Sequence, residues 1–152
     1  MIKPFKINVS DDVLNEIYRK VKNYPWHEMP KGGGWEYGTN LDYMKKFSNY
    51  WVNKFDWRKC ESKINKYSNF TTTVNDIDIH FIHEKGSGSN PIPLLISHGW
   101  PGSIVEFLDI IEKLAHPERF GGNKEDSFNV VAPSLPGYGF SGSPKNLLDQ
   151  EK

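Results

Sequence analysis

Apolar residues recur at helical spacing in the first part of the chain, with polar residues between them. Ser10 and Asn40 stand where helices can begin, because their side-chain oxygens can accept hydrogen bonds from free backbone N–H groups. The apolar stripe of the first helix consists of Val13, Leu14, Ile17, Tyr18 and Val21. The stripe of the second helix consists of Leu41, Met44, Phe47 and Trp51. A third stripe predicts a short helix from about residue 56 and consists of Trp57, Cys60, Ile64 and Tyr67.

After residue 67 the pattern changes to the two-residue period of β-strands. Residues 70–74 are rich in β-branched side chains and predict a strand. Asn75 and Asp76 tolerate positive φ and predict a two-residue hairpin turn. The second strand of the hairpin is predicted from an alternation of apolar and polar side chains, namely Ile77, Asp78, Ile79, His80 and Phe81.

A strand–helix–strand unit follows the hairpin. Leu94, Leu95 and Ile96 form a short apolar run, as expected of a strand that is buried on both faces. Ser103 and Glu106 have the spacing of a capping box, which predicts a helix that stops at Pro117. Residues 128–132 predict another apolar strand, so the two strands are expected to be parallel and joined by a crossover helix. We therefore expect an α/β protein with a helical arm at residues 1–67 and an α/β region at 68–152.

Composition excludes several classes of protein. Lys plus Arg and Asp plus Glu each number 19, and both nucleic-acid binders and membrane-surface proteins need a basic excess. The aromatic content of 14% argues against a disordered chain. Cys60 is the only cysteine, which excludes an internal disulfide. The first residues carry no apolar leader segment, so a cytoplasmic location is expected.

The helical part contains many aromatic residues with lysines and arginines nearby. A surface that stacks nucleic-acid bases would carry unopposed positive charge, but Asp42, Asp56 and Glu61 offset the cations. Packing of this arm against a neighbouring domain is therefore the preferred explanation for its aromatic residues.

The segment His98-Gly99-Trp100-Pro101-Gly102 is the strongest candidate for chemistry. It lies where a strand turns into a helix, at the carboxyl end of a predicted parallel sheet, where open α/β sheets bind ligands. The Trp100–Pro101 bond could be cis. Trp100 keeps its backbone N–H, which a turn of this kind can present to a developing oxyanion. The alternative is that this segment is a tight turn without a catalytic role.

Three other motifs are weaker. The segment from Gly137 to Gly142 matches G-x-G-x-x-G, but Pro144 follows instead of a helix, so a pocket rim is preferred over a dinucleotide site. Ser141 fails the nucleophile-elbow pattern, because the position of the last glycine is occupied by serine. His80 and His83 lie three residues apart on a strand, so they point to opposite faces and cannot chelate one metal ion. We expect one of them to face solvent.

Taken together, the motifs resemble the N-terminal part of the microsomal-type epoxide hydrolases, the branch that includes juvenile hormone epoxide hydrolases. The resemblance covers residues 1 to about 144. The segments that carry it are Ile2-Lys3-Pro4-Phe5, Tyr50-Trp51, Phe55-Asp56-Trp57-Arg58, Ile79-His80-Phe81-Ile82-His83, His98-Gly99-Trp100-Pro101-Gly102-Ser103 with Glu106-Phe107, and Pro133-Ser134-Leu135-Pro136-Gly137-Tyr138-Gly139-Phe140-Ser141.

The resemblance implies the first half of an α/β-hydrolase fold and a reaction that converts an epoxide and water to a vicinal diol. An aspartate attacks the epoxide carbon to form an ester, and a histidine with an acidic partner activates the water that hydrolyses it. The oxyanion hole would use the backbone of Trp100 in the turn formed by His98, Gly99 and Pro101. Neither a metal nor an organic cofactor is implied, and the substrate of the complete enzyme would be a small apolar epoxide. The pocket rim would include Pro136, Gly137, Tyr138 and Phe140.

The chain departs from the family pattern because no Gly-Gly-Asp-Trp-Gly elbow occurs in it. The resemblance also implies a cap domain whose tyrosines protonate the epoxide oxygen. The nucleophile, these cap tyrosines and the catalytic histidine are expected beyond Lys152, so the chain is expected to be a fragment, without a membrane anchor, and inactive alone. The strand at Leu94 to Ile96 would then be a bare edge, open to self-association or to a complementing chain. One alternative is a naturally truncated, inactive homologue that acts as a binding or complementing fragment. Another is a dehalogenase or esterase of the same fold, against which the segment from Phe55 to Arg58 argues.

Overall fold

The computed structural model describes residues 1–145 and contains five strands and four α-helices in that range. The strands are β1 (Lys3–Pro4), β2 (Asn69–Val74), β3 (Ile77–Glu84), β4 (Ile92–Leu95) and β5 (Phe128–Pro133). The helices are α1 (Asp11–Lys22), α2 (Leu41–Asn53), α3 (Trp57–Ile64) and α4 (Leu108–Ala115). Short 3₁₀ helices lie at Ile104–Phe107, Pro117–Phe120 and Lys124–Asp126. Residues 146–152, part of the C-terminal segment for which the sequence predicts no element, lie outside the described residues.

The strands form one mixed sheet in the order β1-β2-β3-β5-β4. β2 and β3 form the predicted hairpin, and Asn75 and Asp76 take up the turn with φ values of 47° and 61°. β3 pairs antiparallel with β5, and β5 pairs parallel with β4. The predicted α/β class, with a hairpin followed by a strand–helix–strand unit, is therefore confirmed.

The crossover between β4 and β5 begins with the predicted capping box. The Glu106 carboxylate accepts a hydrogen bond from the Ser103 N–H at 2.9 Å, and the Ser103 hydroxyl accepts one from the Val105 N–H at 3.3 Å. The first turn is a 3₁₀ helix, and α4 continues from it. The cap thus fixes where the chain leaves the turn after β4.

The prediction that Leu94, Leu95 and Ile96 form a strand buried on both faces is wrong. Leu95 is 68% exposed, and Leu94 and Ile96 are partly buried. The physical reason is the position of β4, which pairs only with β5 and is the edge strand of the described sheet. An apolar run identifies a strand but does not reveal how many neighbours the strand has.

By its internal contacts the chain forms two compact units, Asn8–Cys60 and a second unit that joins Met1–Ile7 to residues 61–145. In the first unit, α1 and α2 begin at the predicted caps, Ser10 and Asn40, and neither helix has a buried residue. The predicted boundary at residue 67 stays a prediction. None of the helices in residues 1–145 is long and apolar enough to cross a lipid bilayer.

The core of the second unit lies between α4 and the sheet. Ile111 of α4 and Val130 of β5 are both completely buried. The other apolar side chains exposed by 4% or less are Ile7, Ile64, Ile82, Ile104, Leu108, Ala115 and Ala132. The sequence contributes this core from distant segments, so it forms only when the sheet is assembled.

The prediction that either His80 or His83 faces solvent is wrong. His83 is partly buried, and His80 is completely buried within a polar network. The two side-chain N–H bonds of Asn69 donate to the carbonyls of Ile64 and Tyr67, so its amide oxygen must accept from the Nε2–H of His80, at 2.9 Å. The remaining ring nitrogen of His80, Nδ1, accepts from the Ser134 hydroxyl at 3.0 Å. Both ring nitrogens are therefore satisfied when the ring is neutral.

Burial lowers the pKa of His80 to about 4 from its ordinary value of 6.5. The unfolded chain therefore takes up this proton at higher pH than the folded chain does, and folding loses stability as pH falls. Between pH 6.5 and 4 the loss attributable to His80 should be about 3 kcal/mol, and it should level off below that range. Guanidinium denaturation across this range measures it as the difference between the wild type and His80→Gln. His83→Gln is the matched control and should retain the wild-type slope; equal slopes for the wild type and His80→Gln would contradict the assignment.

Ile110 and Ile111 provide an internal comparison of packing within α4. Ile111 is 0% exposed and Ile110 is 42% exposed. Ile111→Ala should lower the free energy of unfolding by about 2–5 kcal/mol, because a cavity remains in the core. Ile110→Ala should cost less than about 1 kcal/mol. Chemical denaturation distinguishes the two, and similar losses would mean that α4 does not pack as described.

Candidate active-site turn

The turn after β4 occupies the carboxyl end of the β4–β5 pair. Pairing continues one residue beyond β4, since the Ile96 N–H donates to the Val131 carbonyl at 3.0 Å. The chain then turns through Trp100, which is 84% exposed. The peptide bond between Trp100 and Pro101 is cis. Within residues 1–145, the backbone N–H of Trp100 donates to no acceptor.

His98 connects this turn to the loop that follows β5. The residue is 4% exposed. The Leu135 backbone N–H lies 3.1 Å from Nε2, and because a backbone N–H can only donate, Nε2 is the acceptor. The proton of the neutral ring is then on Nδ1, which donates to the Gly99 carbonyl at 3.1 Å. The ring of Tyr138 packs edge-on against His98 at a centroid distance of 5.2 Å.

Gly102 is required by close packing inside the turn. A Cβ at this position would lie 2.1 Å from Glu106 Oε1 and 2.7 Å from the Gly99 carbonyl oxygen. Glu106 cannot simply move away, because its carboxylate caps the Ser103 N–H. The turn and the start of the crossover helix therefore share one set of contacts.

The loop after β5 folds back toward the turn. Gly137 and Gly139 have φ values of 83° and 52°, which favour glycine. Tyr138 lines a shallow depression together with Trp100 and Pro101. Phe140 instead packs on the His80 ring at 5.3 Å.

The structure thus brings some of the predicted site residues together and separates others. Trp100, Pro101 and Tyr138 share the depression, and His98 donates a hydrogen bond to the carbonyl of Gly99, directly before Trp100. Pro136, Gly137 and Phe140 belong to the same loop but do not line this depression. In residues 1–145 no group of three or more His, Cys, Asp or Glu side chains could hold a metal ion.

Two contributors were missed by the sequence analysis. Leu135 acts through its backbone N–H, which every residue except proline has, so no side-chain pattern could reveal it. Ser134 is 1% exposed and bonds to His80, which is distant in sequence. A polar residue directly after a buried strand was the only signal for it.

Comparison with known proteins places these features in a family. A family model described as epoxide hydrolase N terminus matches residues 2–107, and one described as alpha/beta hydrolase fold matches residues 92–151. Epoxide hydrolase 1 of Sus scrofa is 42% identical over 144 residues, which cover 92% of this chain and 32% of that protein.

Two solved structures are also similar. The epoxide hydrolase of Aspergillus niger has a TM-score of 0.84 at 29% identity, covering 98% of this chain and 39% of its own. The juvenile hormone epoxide hydrolase of Bombyx mori has a TM-score of 0.83 at 32% identity. The match covers 96% of this chain and 35% of the Bombyx mori chain. The chain spans about a third of the length of these relatives. It belongs to the epoxide hydrolase family and corresponds to the N-terminal region of its members.

Proposed function

We propose that this chain supplies the oxyanion-hole turn of an epoxide hydrolase that acts on small apolar epoxides. In the proposed reaction an aspartate outside this chain attacks an epoxide carbon, the ring C–O bond breaks, a tyrosine outside this chain protonates the released oxygen, and a hydroxy ester forms. A histidine outside this chain takes a proton from water, which attacks the ester carbonyl, and the carbonyl oxygen becomes negatively charged. Collapse of this intermediate releases the vicinal diol and restores the carboxylate, and the proton held by the histidine returns to the tyrosine.

The observation that carries the proposal is the N–H of Trp100 at the carboxyl end of β4, which donates to no acceptor within residues 1–145. An oxyanion donor must be held in place before charge develops, because reorganisation during the reaction would cost the energy that the donor supplies. The Trp100 turn meets this requirement through Gly102 and His98, which pack and bond inside it.

The substrate class is supported by the surface beside this N–H. Trp100, Pro101 and Tyr138 contribute apolar and aromatic surface to the depression, and Ser103 and Glu106 contribute its polar side chains. Apolar walls with few polar groups are typical of sites that bind small organic molecules. The similar proteins of Aspergillus niger and Bombyx mori are epoxide hydrolases, which supports the proposed reaction type.

A chimera tests the role of the Trp100 N–H. The chain alone should give no epoxide turnover above buffer, because it contains no elbow aspartate. Residues 1–145, substituted for the corresponding N-terminal region of the Bombyx mori enzyme, should give an active protein. In that chimera Trp100→Pro, which removes the N–H, should lower kcat by roughly 10²–10³-fold. The ester intermediate should accumulate, which rapid quenching and mass spectrometry detect.

Trp100→Phe is the matched control for this experiment, since it removes the indole and keeps the N–H. It should retain most of the ester-hydrolysis rate. Equal losses in the two variants would assign the effect to the side chain and contradict the proposal. An inactive parent chimera would also count against it, because the two N-terminal regions would then not be equivalent.

A second candidate function, a complementing or self-associating fragment, is favoured by the outer edge of β4. Ile92 and Leu95 are 56% and 68% exposed. The N–H groups of Ile92 and Ile96 point to β5, so by alternation the backbone groups of Leu95 point outward. Pro93 also faces outward but has no N–H to donate. The edge therefore offers a partner strand a short and incomplete set of hydrogen bonds.

If this edge pairs with a second copy, sedimentation velocity over a series of concentrations should detect oligomers. Leu95→Lys should shift the distribution toward the monomer, because charge on an edge strand opposes pairing. Val74→Lys is the control, since Val74 is 51% exposed but lies on β2, away from this edge. A monomer that unfolds cooperatively at every concentration would contradict self-association.

A further inference from the structure

We infer that His80 and His98 act as a pair of neutral histidines that clamp the loop after β5 and thereby orient the Trp100 N–H. His80 is then a positioning residue for the oxyanion turn, although it lies on β3. The functional part of this inference rests on the proposed role of Trp100. The hydrogen bonds that form the clamp can be tested without measuring enzyme activity.

The two histidines hold consecutive residues of the loop. The Ser134 hydroxyl donates to His80 Nδ1 at 3.0 Å, and the Leu135 N–H donates to His98 Nε2 at 3.1 Å. Residues 134 and 135 are thus held from two sides. All four residues are partly or completely buried, so water competes little for these bonds.

The other end of the loop, at Ser141, is hydrogen-bonded to the backbone of His80. The Ser141 hydroxyl accepts from the His80 N–H at 2.9 Å and donates to the Ser134 carbonyl at 2.7 Å. The Ser134 N–H in turn donates to the His80 carbonyl at 2.9 Å. A Cβ at Gly139 would lie 3.0 Å from the Ser134 hydroxyl, so the loop closes tightly around this network.

The link to Trp100 runs through one peptide group. His98 Nδ1–H donates to the Gly99 carbonyl, and that carbonyl belongs to the same peptide unit as the Trp100 N–H. The peptide unit is planar, and this one is trans, so fixing its C=O fixes the opposite direction of its N–H. A hydrogen bond to the carbonyl also polarises the peptide and strengthens its N–H as a donor. Holding His98 therefore holds the proposed oxyanion donor.

The clamp requires opposite tautomers in the two rings. His80 must carry its proton on Nε2, toward Asn69, and His98 must carry its proton on Nδ1, toward Gly99. In each ring the other nitrogen must be free to accept from the loop. Any other combination places two donors, or two acceptors, against each other.

Long-range ¹H–¹⁵N NMR of the full chain at pH 8 reports the two tautomers directly. The wild type should give an Nε2–H form for His80 and an Nδ1–H form for His98. Ser134→Ala removes the hydroxyl that joins the loop to His80 and should convert His98 to a mixture of tautomers. Hydrogen exchange at the Leu135 N–H should become at least roughly tenfold faster, since the loop opens more often.

Ser87→Ala is the matched control, because it removes a part-buried loop hydroxyl that bonds to Ala115 and Glu118 instead. It should leave the His98 tautomer unchanged. A folded Ser134→Ala variant with an unaltered His98 ring would overturn the coupling. If that variant does not fold, the wild-type spectrum still decides, since an Nε2–H form of His98 excludes the clamp. A clamp that holds while the Trp100→Pro chimera stays active would reject only the oxyanion role.

Discussion

The parallel pairing of β4 with β5 is the constraint on which the site depends. Its register places Leu95 opposite Val131, so the two strands end at the same edge of the sheet. The turn after β4 and the loop after β5 must therefore meet there. The contacts between His98 and Leu135 and between His98 and Tyr138 are consequences of this pairing. Without this pairing, the loop after β5 would not lie beside the Trp100 turn.

Local signals in the sequence were sufficient for most of the elements. Ser10, Asn40 and Ser103 cap helices as their side chains predict, and Asn75 and Asp76 form the expected turn. Helix caps and hairpin turns depend on a few neighbouring residues, so a short stretch of sequence is enough to predict them. The bare edge at β4 followed from the resemblance to the family, which no local pattern contains.

Burial was harder to predict because it depends on partners that are distant along the chain. The sequence suggested that one of His80 and His83 faces solvent, yet Asn69 and Ser134 provide the acceptor and donor that offset the cost of burying the neutral His80 ring. Leu95 gave the opposite error, since its apolar neighbours suggested burial and its edge position leaves it exposed. The Leu135 N–H could not be singled out at all, because the interaction does not depend on the side chain.

The exposed edge of β4 and the Trp100 turn are adjacent, because the turn follows directly after β4. A strand added in parallel beside β4 would end at the same edge as β4 and β5, next to Trp100. A residue directly after that strand would face the Trp100 N–H and the depression lined by Tyr138. The resemblance to the family implies that the nucleophile aspartate follows a strand in this position. Completion of the sheet and completion of the proposed active site would therefore be the same structural event.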